Sequence, residues 1–380
     1  MNGRTDYRSI AIQSVLVASI AGIGWFLIAT TLANLQARGI TTGFGFLSRP
    51  INMPIAHGWL EFLPGIHTYG RALIIGVLNT LTVSLIVIAV STVAGTLIGI
   101  ARLAPNWLLS RSCGTYVEVV RNVPVLLQLV FWYQLMLQLP PPRAAIRIVE
   151  GLYVSNRGIR YPRFLDANGA SAVMLAVVVG AGILVAFCLT RRSDHALDMP
   201  RIPTWLAALL LLVALPVTIL FLTGAEIEFD PPQLEGFNFT GGASLAPELS
   251  ALVLGLSIYT SAFVAEIVRA GILGVPTGQW EAAESLGLSR ATTLRKVILP
   301  QALRIIVPPL TSEYLGITKN SSLAVAVGYP DLVAIVNTMI SDTGQAVEGI
   351  AVIMAAFLTI SLAVSALMNW YNRSVALVAR

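Results

Sequence analysis

Charge is the scarcest resource in this chain. Asp, Glu, Lys and Arg together make up 11% of its 380 residues, against about 25% in an average soluble domain. A soluble fold with this much apolar sequence would need a polar shell, and too little polar sequence is present to make one. Lysine occurs only as Lys296 and Lys319, and neither stands in a GxxxxGKS/T phosphate loop. Lys296 follows Leu294 and Arg295 with no glycines to cradle phosphates. The chain therefore has no usual ATP site, and any energy must come from another chain or an ion gradient. Cysteine is nearly absent, and Cys113 and Cys188 have no paired spacing that would suggest a disulfide or a metal site. His57, His67 and His195 are too scattered for a metal cluster. No nucleophile elbow, zinc-type HExxH or paired-carboxylate constellation is present, so enzyme chemistry is not expected. The net charge of +5 is spread over isolated arginines, with no dense basic run that would suit nucleic acid.

What fills the chain instead is apolar sequence in membrane-length runs, with a mean hydropathy of +0.78. A hydrocarbon core about 30 Å thick takes roughly 20 apolar helical residues to cross. Uncharged runs of that order lie at Ser9–Ala37, Ala72–Ile100, Asn122–Pro142, Gly169–Thr190, Ile202–Ala225 and Gly349–Asn372. A shorter run, Leu249–Ala265, ends at Glu266, and Gln301–Leu323 is a weaker one. The expectation is an all-α integral membrane protein with about eight transmembrane helices. The first run is about 29 residues long, beyond the roughly 7–15 of a signal-peptide core, and reads as a retained anchor. Basic residues flanking the spans favour both termini inside, which places 15 of the 24 basic residues in the cytoplasm. Arg143, Arg147, Arg157, Arg160 and Arg163 fall in a loop that this arrangement puts outside.

One polar insert interrupts the apolar pattern: Val275–Pro300, reading VPTGQWEAAESLGLSRATTLRKVILP. Thr277 can cap a short helix with Glu281 and Glu284 in its first turns and Gly287 as its stop. Ser289 can cap a second helix that carries Arg295 and Lys296 near its end and halts at Pro300. A helix-turn-helix held at the membrane face makes a mechanical handle.

The spacing of Glu281-Ala282-Ala283, Gly287 and Leu299-Pro300, with Val297 two residues before the Leu-Pro pair, resembles the EAA loop of the membrane-spanning subunits of bacterial ABC importers. Tyr116–Leu135 (YVEVVRNVPVLLQLVFWYQL) and Ser257–Ile272 (SIYTSAFVAEIVRAGI) are similar to blocks of that family's polar amino-acid permease branch. The resemblance covers roughly residues 72–140 and 247–372. It implies a type I importer-like transmembrane domain that carries amino acids across the bacterial inner membrane by alternating access. Trp280, Glu281, Ala282, Ala283, Gly287, Leu299 and Pro300 would then couple to an ATPase. The implied partners are a second related permease subunit, two ATPase copies that bind the ATP and Mg, and a periplasmic amino-acid-binding protein, all within membrane lipid. Residues 1–71 become an extra N-terminal span with an outside loop, and 72–140 the first part of the permease core. Residues 141–246 become an insertion with two extra spans, and 247–380 the second part with the coupling loop at 275–300. Longer general amino-acid permeases of the branch carry such insertions.

Polar groups inside membrane helices are expensive, so they tend to face a cavity or a partner helix. The substrate-pathway candidates are Asn79, Gln128, Tyr133, Gln134, Gln138, Tyr259, Thr260, Glu313, Lys319 and Asn320. Hydroxyls in such helices mostly bond their own backbone or a neighbour. Glu266 and Arg269 are spaced for a local i,i+3 ion pair. Ser91, Gly95 and Gly99 form a small-residue stripe for close helix packing, where a second membrane subunit could meet this one. The rival reading is a secondary amino-acid transporter driven by ions. It should show Asp or Glu near the middle of several spans, and most spans here have none.

Overall fold

The computed structural model describes residues 7–37, 43–55, 60–164, 180, 183, 210–218 and 229–375. Its helices, in chain order, are α1 (Tyr7–Ala37), α2 (Tyr69–Ala101), α3 (Trp107–Asn122), α4 (Val125–Leu137), α5 (Pro247–Leu273), α6 (Thr277–Ser285), α7 (Arg290–Thr293), α8 (Leu299–Asn320), α9 (Leu332–Thr343) and α10 (Ala346–Val375). Stretches within α1, α2, α5 and α10 are long and apolar enough to cross a membrane. Two bent pairs pass the same test when each is taken as one span. The two added spans expected at Gly169–Thr190 and Ile202–Ala225 lie almost wholly outside the described residues. Where they are described, Gly180 sits directly against the Leu211 carbonyl, leaving no room for a Cβ.

The third expected span differs from its run of apolar residues. Residues 102–121, between the second and third runs, are largely the helix α3, whose Asn106 side chain caps it by accepting from the Leu109 N–H at 3.1 Å. It turns by 103° into α4, which has only 13 residues and is about 20 Å long, too short to cross alone. Pro124 explains the break, because it has no N–H to give to the Val120 carbonyl. The Gln128 side chain supplies the missing donor, its Nε2 reaching Val120 O at 2.9 Å and Val123 O at 3.0 Å.

A second difference is β-structure within segment 141–246, in the two loops that flank the expected added spans. Strands β1 (Ile146–Val149), β2 (Leu152–Ser155), β3 (Gly158–Tyr161) and β8 (Ala243–Leu245) form an antiparallel sheet in that order. β4 (Arg163–Phe164) pairs with β5 (Phe229–Asp230), and β6 (Gln233–Glu235) with β7 (Asn238–Thr240). Pairing of Ile159 with Leu245 and of Arg163 with Asp230 brings the residues that flank segment 165–228 side by side.

Packing divides the chain into two units that do not follow chain order. The first comprises residues up to Asn79 and Pro330–Leu358. Its core joins Phe46, Ile51, Tyr69, Ala72, Leu332, Ile335, Val336 and Met339. α9, which the hydrophobic runs do not indicate, starts at Asp331, whose carboxylate accepts from the Ala334 N–H at 2.8 Å. The second unit is Thr80–Tyr329 with Thr359 onward, and α5 is its central helix, packing on α3, α4 and α8. Val264 and Ser261 of α5 lie against Gly95, and Ala265 and Val268 against Gly99. The small-residue stripe is therefore filled from within the chain rather than held open for a second subunit. A Cβ at Gly95 would stand 2.5 Å from Val264 Cβ and 2.7 Å from Ser261 O, which only glycine avoids.

Candidate functional site

The insert folds as a hairpin with a finished backbone. α6 ends in a Schellman turn: the Gly287 N–H donates to Glu284 O at 2.8 Å and the Leu288 N–H to Ala283 O at 3.1 Å. Gly287 takes φ +68°, the left-handed conformation that this turn requires and other residues resist. The capping differs from expectation at the first helix. Pro276 occupies the N-cap, with no side-chain cap bond, and Thr277 is already helical. Ser289 caps as expected, accepting from the Thr292 N–H at 3.4 Å and pairing with the Thr292 hydroxyl at 2.8 Å.

Pro300 does not end the second helix. α7 widens into a π-helical stretch at Leu294–Ile298, which runs straight into α8 with Pro300 in its first turn. A proline is tolerated in a first turn, where its absent N–H is not needed, and the widened turn accommodates the switch in hydrogen-bond pattern. The hairpin is therefore continuous with a membrane helix at one end and follows Gly274 of α5 at the other.

Inside, the hairpin is anchored; outside, it is bare. Ala283 is buried, and Trp280 packs against a core of Val264, Val268, Val275, Ile298, Ala302 and Ile306. The Gln301 side chain donates to the Gln279 side chain at 3.1 Å, tying α6 to α8. Glu281, Ala282, Gly287, Leu299 and Pro300 are exposed. So is Leu286, at 78%.

Close to the hairpin, α5 carries a charge cluster that sequence spacing shows only in part. Arg269 donates to Glu266 at 2.5 Å, the expected i,i+3 pair. Arg102, from the turn after α2, pairs with the same Glu266. One carboxylate thus joins two helices. Arg102 has no i,i+3 or i,i+4 relation to Glu266, so no local signal exposes it.

The pathway candidates do not form one site. Asn79, in the first unit, is buried and donates to Pro330 O at 2.8 Å. Gln128 is buried at the α3–α4 break and Thr260 in the body of α5. Tyr133 reaches Glu248 at 3.5 Å. Tyr259 of α5 and Glu313 of α8 come within electrostatic reach of one another and of Arg121. Arg121 also lies 5.0 Å from the ring centre of Phe263. Gln134, Gln138 and Lys319 are exposed, and Asn320 is half-buried. Arg121 and Glu248 are the polar neighbours that inspection of the spans passes over, because both lie at helix ends rather than inside a run.

Residues 91–377 match the family model of the binding-protein-dependent transport system inner membrane component. The chain belongs to this family. It is a multi-pass transport component of the inner membrane, and it works with an ATPase and a binding protein. It is 47% identical over 375 residues to the putative amino-acid ABC transporter permease protein YhdX of Escherichia coli, covering 98% of this chain and 95% of that protein. It is 43% identical over 377 residues to the general L-amino acid transport system permease protein AapQ of Rhizobium johnstonii, covering 98% and 94%. With the glutamate/glutamine/aspartate/asparagine transport system permease protein BztB of Rhodobacter capsulatus it shares 37% over 410 residues, covering 99% and 95%. The match over nearly the whole chain includes residues 141–246.

Proposed function

We propose that this transport component is the permease subunit of an ATP-binding-cassette importer for amino acids, and that the 275–300 hairpin is where a separate ATPase drives it. The observation that carries the reading is the combination of a closed, capped backbone with the uncovered Leu286 at its tip. An aliphatic side chain held out on a stiff turn can act as the anchor that fills a partner's pocket. Amino acids as cargo rest on the printed descriptions of the long relatives.

In this reading both termini and the hairpin face the cytoplasm, and the β-paired loops face the periplasm beside the binding protein. The pairing of the residues that flank segment 165–228 suits two added spans, which leave and return on one side. ATP and Mg are held by two ATPase copies, and a second related permease subunit completes the pathway. When the ATPases close on ATP, the hairpin moves with them. Its continuity with α8 and its short tether to α5 turn that motion into a tilt of both helices. The substrate then needs only different affinities in outward-open and inward-open states. Tyr259, Glu313 and Arg121 supply a mixed polar face suited to a zwitterion, with Tyr133, Gln134, Gln138, Lys319 and Asn320 further along the pathway.

The test replaces Glu281 with Lys, or Leu286 with Asp, in the intact complex. Uptake of labelled amino acids and co-purification of the ATPase should fall together while the chain still inserts. Uptake that persists after the ATPase is deleted overturns the reading. Orientation is tested separately with Gln279→Cys: a membrane-impermeant maleimide should not label it in intact cells.

A further inference from the structure

The transport reading leaves unused a cavity of about 490 Å³ between the turn after α2, the first half of α3 and Arg269 of α5. Three guanidinium groups border it, those of Arg102, Arg111 and Arg269. Glu266 pairs with two of them, and Glu118 stands on the wall. Three positive charges therefore face two negative ones, and the Arg111 guanidinium has no carboxylate partner among the described residues.

Gly114, on the cavity wall, makes the second observation. It lies mid-helix in α3, where glycine weakens a helix relative to alanine. Its backbone is not in the left-handed region, and beyond its own neighbours and helix backbone no described heavy atom comes within 4 Å of where its Cβ would be. Neither conformation nor packing within the chain asks for glycine here. A ligand that approaches the helix backbone does. Beside the cavity, the first turn of α3 exposes Trp107 (75%) and Leu108 (66%), an amphipathic turn of the kind found at headgroup depth. That turn also directs the positive end of the α3 dipole to the same place.

We propose that this cavity binds the phosphate of an anionic ligand, and that the ligand is a membrane phospholipid whose acyl chains lie along Trp107 and Leu108. A basic pocket between membrane helices is the usual chemistry of such recognition. Arg111 supplies the unpaired fork, Arg269 and Arg102 the positive wall behind it, and Gly114 the room for the headgroup. The site stands whether or not amino acids are the cargo, so its failure and the failure of the transport reading are distinguishable.

The experiment is native mass spectrometry of the complex, delipidated in detergent and titrated in turn with phosphatidylglycerol, phosphatidylcholine and inorganic phosphate. Phosphatidylglycerol should bind at least about tenfold more tightly than phosphatidylcholine, whose phosphate is the same but whose choline cation is repelled by the net positive wall. Arg111→Gln should lose about tenfold of that affinity, Arg111→Lys should keep most of it, and Gly114→Leu should abolish it by filling the space. Gly114→Leu has open room and should assemble normally, with an unchanged amount of bound ATPase as the check. Equal binding of the two lipids, or binding unchanged in both Arg111→Gln and Gly114→Leu, overturns the site. Inorganic phosphate that binds as tightly as phosphatidylglycerol, and is lost in the same variants, overturns the lipid as its source.

Discussion

Gly95 and Gly99 of α2 lie against Val264, Ala265 and Val268 with no room for a side chain, whereas Leu286 at the hairpin tip is 78% exposed. Both regions look like contact surfaces in the sequence, one a stripe of small residues and the other a polar insert with apolar ends. The first is consumed inside the chain. The second has its backbone completed, its base packed and its tip left over. A surface awaiting a partner is thus marked less by small residues than by a large apolar one on a rigid turn with nothing over it.

The sharpest way to break that contrast is to crowd the closed side. A Cβ at Gly95 would meet the Ser261 backbone oxygen at 2.7 Å, so Gly95→Leu must push two helices apart. Overpacking of this kind costs about 3 kcal/mol where backbone blocks relief. Thermal unfolding of the detergent-purified protein should show it, along with a fall in membrane yield. A variant as stable as the parent would mean that this face does not pack on α5.

The open side should respond oppositely. Leu286 is 78% exposed, so Leu286→Asp should leave stability within about 0.5 kcal/mol of the parent. Uptake should nonetheless fall about tenfold or more, as when a central apolar anchor is lost from an interface. Full uptake with Leu286→Asp would place the partner contact elsewhere on the hairpin.

Gly287→Val falls between the two. Forcing a β-branched residue to φ +68° costs about 1–2 kcal/mol, confined to the hairpin. Uptake should drop with little change in the unfolding of the membrane helices, and Gly287→Asn should recover much of it, because asparagine tolerates this conformation. If Val and Asn behave alike, the turn is not what transmits the motion.

The same contrast explains what the sequence discloses and what it conceals. Membrane-length runs locate α1, α2 and α10, because continuous apolarity over 20 or more residues has few other outcomes, and the shorter run Leu249–Ala265 locates α5. The run at Asn122–Pro142 misleads about its own length, since apolar residues continue past both ends of a 13-residue helix. The Pro124 break was visible, and Gln128 four residues later was the available sign that a side chain would repair it. The strands stay hidden: each is two to four residues long, and β3 finds β8 more than eighty residues away. α9 hides as well, because its twelve residues are too few to stand out as a run. At the candidate site, local rules yield the Gly287 turn and the Glu266–Arg269 pair. Arg102 arrives only through tertiary packing.

The smallest effect separates two hydroxyls that look equivalent in sequence. Thr277 and Ser289 each stand before a short helical pattern, and either could cap it. In the structure, Thr277 is inside its helix behind Pro276, while the Ser289 oxygen accepts from the Thr292 N–H at 3.4 Å. Losing an N-cap costs about 0.5–2 kcal/mol. The long bond, and a helix of only four residues before the π-helical stretch, put Ser289→Ala at the low end, about 0.5 kcal/mol. Thr277→Ala should change nothing measurable, since no cap bond is there to lose. Hydrogen exchange of the Ala291–Thr293 amides reads the difference directly: faster exchange in Ser289→Ala and parental exchange in Thr277→Ala. The reverse order would move the cap to Thr277 and make α6, rather than α7, the end of the hairpin that depends on a side chain.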